Sequence, residues 1–265
     1  MRIGSCHNTL RTRSARHEDA LMHRGRAVLC SLATTQKEAR MSAAIVHPAK
    51  VQVINARLHE VYGPRARYTA RDPLDELILT ILSQNTSDRN SGRAWRLLKA
   101  RYQAWDEVLA ADVRELYEVI KPAGLGNIKA PRIQQVLQQI LERRGTFDLT
   151  FLRELPMAEA KRWLTSLPGI GPKTAACVLC FACDMPALPV DTHVHRVAQR
   201  LGLIGPKVNA DAAHELLETS LPEDDVYPFH VNMILHGRQI CHAQRPACER
   251  CPLNDLCDYY IATRS

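Results

Sequence analysis

The chain has no long apolar run. Its longest uninterrupted apolar stretch, Ala175 to Cys183, is nine residues, less than half of the roughly 20 that a helix needs to cross a bilayer. A helical membrane span is therefore excluded, and a soluble protein is expected. Alternating apolar and polar residues of the kind a half-buried strand needs are scarce, and no segment repeats at a fixed period, so neither a sheet nor a repeat architecture is indicated. Acidic residues are few at the start. Residues 1–40 carry eight Lys and Arg against three acids and hold +5 of the +7 formal charge, which leaves the remaining body at only +2. Bulk charge cannot then drive the body onto nucleic acid, and any such contact must come from a local patch or from backbone amides. No disulfide framework is expected either, because the nine cysteines are an odd number and no secretory signal is read ahead of them. Thiols and metal ligands in a reducing, intracellular compartment fit better.

What is present begins with length and helical punctuation. At 265 residues the chain can bury one large core or two smaller ones without covalent staples. Residues 1–40 lack helical periodicity and are rich in Arg, Ser, Thr and Ala. A transit peptide, a basic arm that touches phosphates, and an upstream start preceding Met22 or Met41 remain open there, with Glu18 and Asp19 fitting a transit peptide poorly. From about Pro48 the pattern turns helical. Leu74, Leu77, Ile78, Ile81 and Leu82 follow the three-to-four spacing of one buried face behind an Asp72-Pro73 start. Similar stripes recur at Trp95, Leu97 and Leu98, at Ile133, Val136, Leu137 and Ile140, and at Val231, Ile234 and Leu235. Gly and Pro separate helices of ordinary length, and the fold class is all-α.

Four cysteines close the chain. Cys241, Cys248, Cys251 and Cys257 fall within seventeen residues, CHAQRPACERCPLNDLC. Four thiolates so grouped are the ligand set of a sulfur-only site, either a structural zinc or an iron–sulfur cluster. Cys177, Cys180 and Cys183 recur every three residues on one helix and are read as small buried apolar residues. His193 and His195 are assigned to the helix surface or to packing, and His236 to a structural hydrogen bond.

Residues 167–175, LPGIGPKTA, follow an apolar helix around Trp163 and Leu164 and open another at Pro172. Pro168-Gly169-Ile170-Gly171 makes a tight turn that presents free amides at a helix N-terminus, a setting for one phosphate. Together with its apolar flanks the segment matches the helix-hairpin-helix module, which grips nucleic-acid backbone without reading bases. Lys173 stands in the first turn of that helix, where the dipole destabilises an exposed ammonium by about 0.3 to 1 kcal/mol. A lysine nucleophile needs help of this kind. Eighteen residues on, Asp191 in PVDTHVHRV precedes another apolar-periodic helix. It reads as an N-cap, and a carboxylate there also suits stabilisation of cationic character at a sugar carbon.

LPGIGPKTA, the lysine followed after eighteen positions by VDTH, HGRQIC leading into the four cysteines, and LSQNTSD at Leu82 to Asp88 together resemble the endonuclease III family, iron–sulfur DNA glycosylases with AP lyase activity. The resemblance runs from about residue 50 to 260. It implies a [4Fe-4S] cluster on Cys241, Cys248, Cys251 and Cys257. It further implies two helical domains, a six-helix domain at residues 66–185 carrying the hairpin and a cluster domain joining residues 41–65 to 186–265, with the active site in the cleft between them. Lys173 resembles the amine that attacks the sugar C1′, and Asp191 its carboxylate assistant. A damaged pyrimidine would be flipped from the duplex and displaced, and the Schiff base would nick the strand by β-elimination. Gly169 and Gly171 would hold a phosphate, Leu125 in GLGN would be the apolar wedge, and Arg245 would lie on a basic loop facing DNA. Without the resemblance, Leu125 reads as a turn-stabilising core leucine and Arg245 as a solvated side chain.

The chain departs from the family where Asn85 stands at a position commonly held by glutamine, with Gln84 rather than a small residue before it. Either amide could fill the hole left by a flipped base. Asp88 matches an acidic residue near the base pocket, with a surface or helix-start role as the alternative. The adenine-excising branch has a glutamate at the position of Thr80 and lacks the lysine, so Lys173 favours the lyase over it and over a non-enzymatic cluster protein. The expected partner is duplex DNA carrying a damaged base or abasic site, bound by a monomer with no membrane association. Cytoplasm or nucleoid is implied for a bacterial chain, with organelle import through residues 1–40 left open.

Overall fold

The computed structural model describes residues 47–66 and 71–264; the basic segment 1–40 lies outside them. Among the described residues there is no strand. The α-helices are α1 (Pro48–Tyr62), α2 (Pro73–Ser83), α3 (Asp88–Arg101), α4 (Trp105–Ala110), α5 (Val113–Ile120), α6 (Gly126–Arg144), α7 (Met157–Thr165), α8 (Pro172–Ala182), α9 (Thr192–Arg200), α10 (Ala210–Glu218), α11 (Val226–Gln239) and α12 (Asp258–Arg264). The fold is all-α, and none of these helices is long and apolar enough to cross a membrane.

Helix α2 forms as its sequence dictates. Asp72 Oδ1 accepts from the amides of Leu74 and Asp75 at 2.9 and 3.1 Å, and Pro73 takes the first position, where a missing N–H costs nothing. Leu74, Leu77, Ile78, Ile81 and Leu82 share one face and are all fully buried, as are Ile133, Val136, Leu137 and Ile140 on α6. Two stripes differ from the sequence pattern. On α3 the buried face is Ser91, Ala94 and Leu98, and Leu97, about 100° away around the helix, is 42% exposed. On α11 the core takes Phe229, Asn232, Met233 and His236, while Val231, Ile234 and Leu235 are half-buried. That helix has a second face, and Ile234 lies on it at the wall of a cleft.

The described residues form one compact unit with two apolar cores. The first gathers buried residues from Leu74 to Ala187. The second combines Val51, Ile54 and Leu58 of α1 with residues from Leu188 to Tyr260. The changeover between Ala187 and Leu188 happens in an extended strap whose backbone groups are all but enclosed. Glu218 Oε2 accepts from the Leu188 amide, His214 Nδ1 donates to the Leu188 carbonyl, and His230 Nδ1 donates to the Pro189 carbonyl, each at 2.8 Å. Glu218 also accepts from Lys161 of α7 at 2.5 Å, so one carboxylate ties the strap to both cores.

A buried cation organises the other side of the first core. Lys129 on α6 is 2% exposed, and its ammonium donates to the carbonyls of Leu82 and Ala123 at 2.8 and 2.9 Å. Leu82 lies in the last turn of α2, just before Gln84 and Asn85, and Ala123 precedes Leu125. Both loops are therefore anchored on one side chain. Replacing Lys129 by Met would leave two buried carbonyls without donors, each orphan costing about 1–3 kcal/mol. The expected result is a folded protein with unchanged helix content whose urea unfolding free energy falls by roughly 2–4 kcal/mol, read as a lower midpoint at constant slope.

Candidate functional site

Between the two cores lies a cleft of about 430 Å³, within the range of ligand-sized pockets. From the first core it is lined by Glu76, Thr80 and Ser83 of α2 and by Lys173, Cys177 and Phe181 of α8; from the second by Asp191, His230, Ile234 and Arg238. Six charged side chains line it, and four of them are already engaged. Arg71 Nη1 meets Glu76 Oε2 at 3.0 Å, and Arg238 Nη2 meets Asp88 Oδ2 at 2.8 Å. Lys173 and Asp191 are the two left without an ion pair among the described residues.

Both stand at helix starts. Gly171 caps α8, Pro172 opens it, and Lys173 follows, half-buried. One turn on, the Cys177 thiol is pushed up to about 11 by burial, with the Lys173 charge pulling the other way. Asp191 caps α9, its Oδ1 accepting from the amides of His193 and Val194 at 2.9 and 2.8 Å. One oxygen is thus fixed by the backbone, and Oδ2 has no hydrogen-bond partner among the described residues. The cap and the cleft-lining carboxylate are one side chain, and capping through Oδ1 leaves Oδ2 available to the cleft.

His230, which sequence patterning did not single out, shares the cleft wall at 3% exposure. Burial pushes its imidazole down to about 4 against the raising effect of the Asp191 carboxylate. Because a carbonyl only accepts, the contact to Pro189 places the proton on Nδ1 and leaves Nε2 an acceptor.

The hairpin turn is built as its glycines require. Gly169 has φ +71°, and a Cβ there would collide with the Arg132 side chain of α6; Leu167 and Ile170 are buried beneath the turn. The amides of Gly169 and Gly171 donate to nothing among the described residues. They are exposed beside a guanidinium, an arrangement for an anion. Arg132 was not legible as part of this site, since it lies thirty-seven positions before Gly169.

The loop after α2 separates the two neighbouring amides. Gln84 is half-buried and its Nε2 donates to Thr174 Oγ1 at 3.3 Å, whereas Asn85 is exposed at φ 53°. Leu125 is no core leucine: it is 47% exposed at φ 53°, next to Ile128 at 45%. Asp88 opens α3 beside its cap Ser87 and pairs with Arg238 across the cleft. Arg245 is exposed, at φ 50°.

The four C-terminal cysteines line one small cavity with Val197, Leu201, Ile240, Pro246 and Tyr259. Among the described residues no three His, Cys, Asp or Glu side chains converge on a point that would hold a single metal ion. The four thiols line one cavity and form the sulfur-only donor set that an iron–sulfur cluster or a zinc takes. Burial raises the thiols of Cys248, Cys251 and Cys257, Cys251 to about 11, and the other cysteines raise them further. Four thiolates need cationic charge among them, and cluster iron supplies it. The cavity rim is ready for sulfur acceptors. Arg200 Nη1 donates to Cys241 Sγ at 3.3 Å and to the His242 carbonyl at 2.6 Å, and the Leu253 amide donates to Cys251 Sγ at 3.4 Å. His236 is buried between Tyr62 Oη at 3.1 Å and Cys251 Sγ at 3.6 Å.

Comparison with known proteins agrees with this geometry. Residues 78–223 match the HhH-GPD superfamily base excision DNA repair protein family, and residues 241–257 match the iron–sulfur binding domain of endonuclease III. Endonuclease III of Thermotoga maritima is 38% identical over 189 residues, 71% of this chain and 84% of that protein. Two solved structures, a non-covalent endonuclease III–DNA complex and a trapped endonuclease III–DNA covalent intermediate, each superpose with a TM-score of 0.72 at 27% identity. They cover 83% of this chain and 99% and 100% of theirs. The cofactor is accordingly a [4Fe-4S] cluster, and the matched range 241–257 runs from Cys241 to Cys257. Cys248→Ala is expected to lose the brown chromophore and most of the folded protein, because ligand assembly and folding are coupled. Iron content and far-UV circular dichroism check this, and a colourless wild-type protein with stoichiometric zinc would refute it.

Proposed function

The chain belongs to the endonuclease III family of base excision repair DNA glycosylases, and we propose that it is the bifunctional kind. On this reading it is a monomeric intracellular glycosylase and AP lyase that removes oxidised pyrimidines from duplex DNA and nicks the strand by β-elimination. The observation that carries this is the pairing of Lys173 and Asp191. They come from helix starts in different cores, face one cleft, and are its two charged groups outside any ion pair.

The Lys173 amine attacks C1′ of the damaged nucleoside, and the glycosidic bond pair leaves with the base. Asp191, held through Oδ1 by two amides, directs Oδ2 at the cationic character that develops at the sugar. Ring opening gives an iminium on Lys173, loss of a C2′ proton then expels the 3′ phosphate, and water releases the enzyme. That an endonuclease III has been trapped as a covalent DNA intermediate supports this course.

Placement on DNA follows from the exposed features. Gly169 and Gly171 offer amides to one phosphate, with the Arg132 guanidinium beside them. Asn85 is the better candidate to fill the vacated stack, since it sits exposed at a loop tip while Gln84 is tied to Thr174. Leu125 and Ile128 form an exposed apolar wedge, and Lys129 anchors this loop and the Asn85 loop together. Asp88 acts at the cleft mouth through Arg238, and the exposed Arg245 faces the backbone. The cluster, when bound, cross-links residues 241–257 and so supports the Arg245 loop; no bond-making step is assigned to it.

Borohydride trapping on a duplex with one oxidised pyrimidine tests the reading. Wild type is expected to give a covalent adduct and Lys173→Gln none, with duplex binding retained. An adduct in Lys173→Gln would remove the nucleophile assignment, and trapping at an abasic site alone would remove the base specificity. Asn85→Ala is expected to slow base excision by about 10-fold or more, one lost hydrogen bond's worth, and Gln84→Ala by less than about threefold.

A further inference from the structure

Helix α2 brings to the cleft a carboxyl that neither the hairpin nor the packing requires. Glu76 sits among Leu74, Leu77 and Ile78, where an apolar side chain would bury without penalty, yet it is 5% exposed. It lines the cleft with Lys173, Cys177, Asp191 and His230. Its Oε2 accepts from Arg71 at 3.0 Å and its Oε1 from Thr80 Oγ1, one helical turn along, at 3.3 Å. The Arg71 side chain is itself 59% exposed, so the pair lies at the edge of the wall and is weak as a stabilising device. Burial raises the Glu76 carboxyl above its ordinary range against Arg71 and Thr80, and it interacts with the Lys173 charge. A buried carboxyl held by two partners beside the expected nucleophile is placed for chemistry.

We propose that Glu76 is a catalytic residue that touches the extruded base, holding its edge and protonating it as it leaves. The proposal rests on the glycosylase reading above and adds the group that acts on the base. As the Lys173 lone pair bonds to C1′, the C1′–N pair passes into the base. A carbonyl oxygen or ring nitrogen of the base takes the proton from the Glu76 carboxylic acid. The base departs neutral, and Glu76 is left as a carboxylate between Arg71 and the newly cationic nitrogen of Lys173. Asp191 then serves the sugar and Glu76 the base, one carboxyl from each core.

The neighbours leave this task to Glu76. His230 holds its proton on Nδ1 against the Pro189 carbonyl and offers only an acceptor. The Asp88 side chain is 74% exposed and held by Arg238 at the edge of the cleft, and Asp191, through Oδ2, is the carboxylate assigned to the sugar. The substrate class selected is a base with a hydrogen-bond acceptor on the edge it presents to α2, as the carbonyls of an oxidised pyrimidine provide. A base showing only donors there would gain no proton and leave slowly.

The test separates the two chemical steps, because a preformed abasic site has no base to protonate. Single-turnover excision on an oxidised-pyrimidine duplex is compared with nicking of an abasic duplex for wild type, Glu76→Gln and Glu76→Asp. Glu76→Gln keeps the shape and loses the acidic proton; it is expected to slow excision on the order of 10²-fold while abasic nicking stays within about threefold. Glu76→Asp, which restores an acidic proton, is expected to excise faster than Glu76→Gln. Excision at the wild-type rate in Glu76→Gln would overturn the proposal. So would an equal loss of both steps, which is the mark of a structural role. A wild type inert on both duplexes would instead overturn the glycosylase reading itself.

Discussion

The cleft depends on how the chain crosses from one core to the other. Residues 187–191 pass between them outside any helix, and buried backbone without helical bonds must find side chains for its polar groups. Glu218, His214 and His230 supply these, all from the second core, while Lys161 of the first core holds Glu218. The strap ends at Asp191, whose carboxylate is in turn fixed by the first amides of α9. The position of Asp191 opposite Lys173 is thus set by three buried polar contacts, and both imidazoles that make them are kept neutral by burial. A charged His214 or His230 could still donate to its carbonyl but would carry an unpaired charge into a desolvated site.

The same logic runs on the opposite side of the first core. Two loops of unrelated sequence, one ending in Asn85 and the other in Leu125, each place a non-glycine residue in the left-handed region. Such conformations persist where their surroundings over-determine them. Here the ammonium of Lys129 takes a carbonyl from the chain leading into each loop, so both tips are referred to one buried point. Exposed apolar and amide side chains at such tips contribute little to the stability of the free protein. Their geometry becomes useful when something is inserted between two fixed heights, as in an opened base stack.

The sequence made legible whatever depends on spacing. The α2 and α6 stripes, the Asp72 and Asp191 caps, the turn at Gly169 and the cysteine group all follow from local chemistry at fixed intervals. Leu97 was misread because Trp95, Leu97 and Leu98, crowded into one turn, do not say which of them belongs to the buried face; Ala94 and Leu98, four apart, decide it. The half-burial of Val231, Ile234 and Leu235 was hidden for a different reason, since a helix with a core on one face and a cleft on another has no single stripe. What escaped entirely were polar residues within apolar stretches. Glu76, Lys129 and His230 each look like interruptions of a periodic pattern, and nothing local says whether such a residue points out to water or inward to a partner. Their partners lie as far as forty-seven residues away, and Arg132 meets Gly169 from a different helix. A charged residue at a core position of an otherwise strict stripe is the one signal that was available.

Charge balance across the cleft explains why these interruptions are tolerated. Three basic and three acidic side chains line it, and placing Arg71 against Glu76 and Arg238 against Asp88 leaves Lys173 and Asp191 as a matched but separated couple among the described residues. A direct salt bridge between them would hold the lysine as an ammonium and block its lone pair. Separation is maintained because each belongs to a different core and each is held at its helix start, Lys173 behind the Gly171-Pro172 turn and Asp191 by its own cap. The two flanking pairs then absorb the remaining charge, so that neither member of the couple has a stronger partner nearby. On the proposed course, an incoming sugar would enter between an amine and a carboxylate that the fold has kept apart.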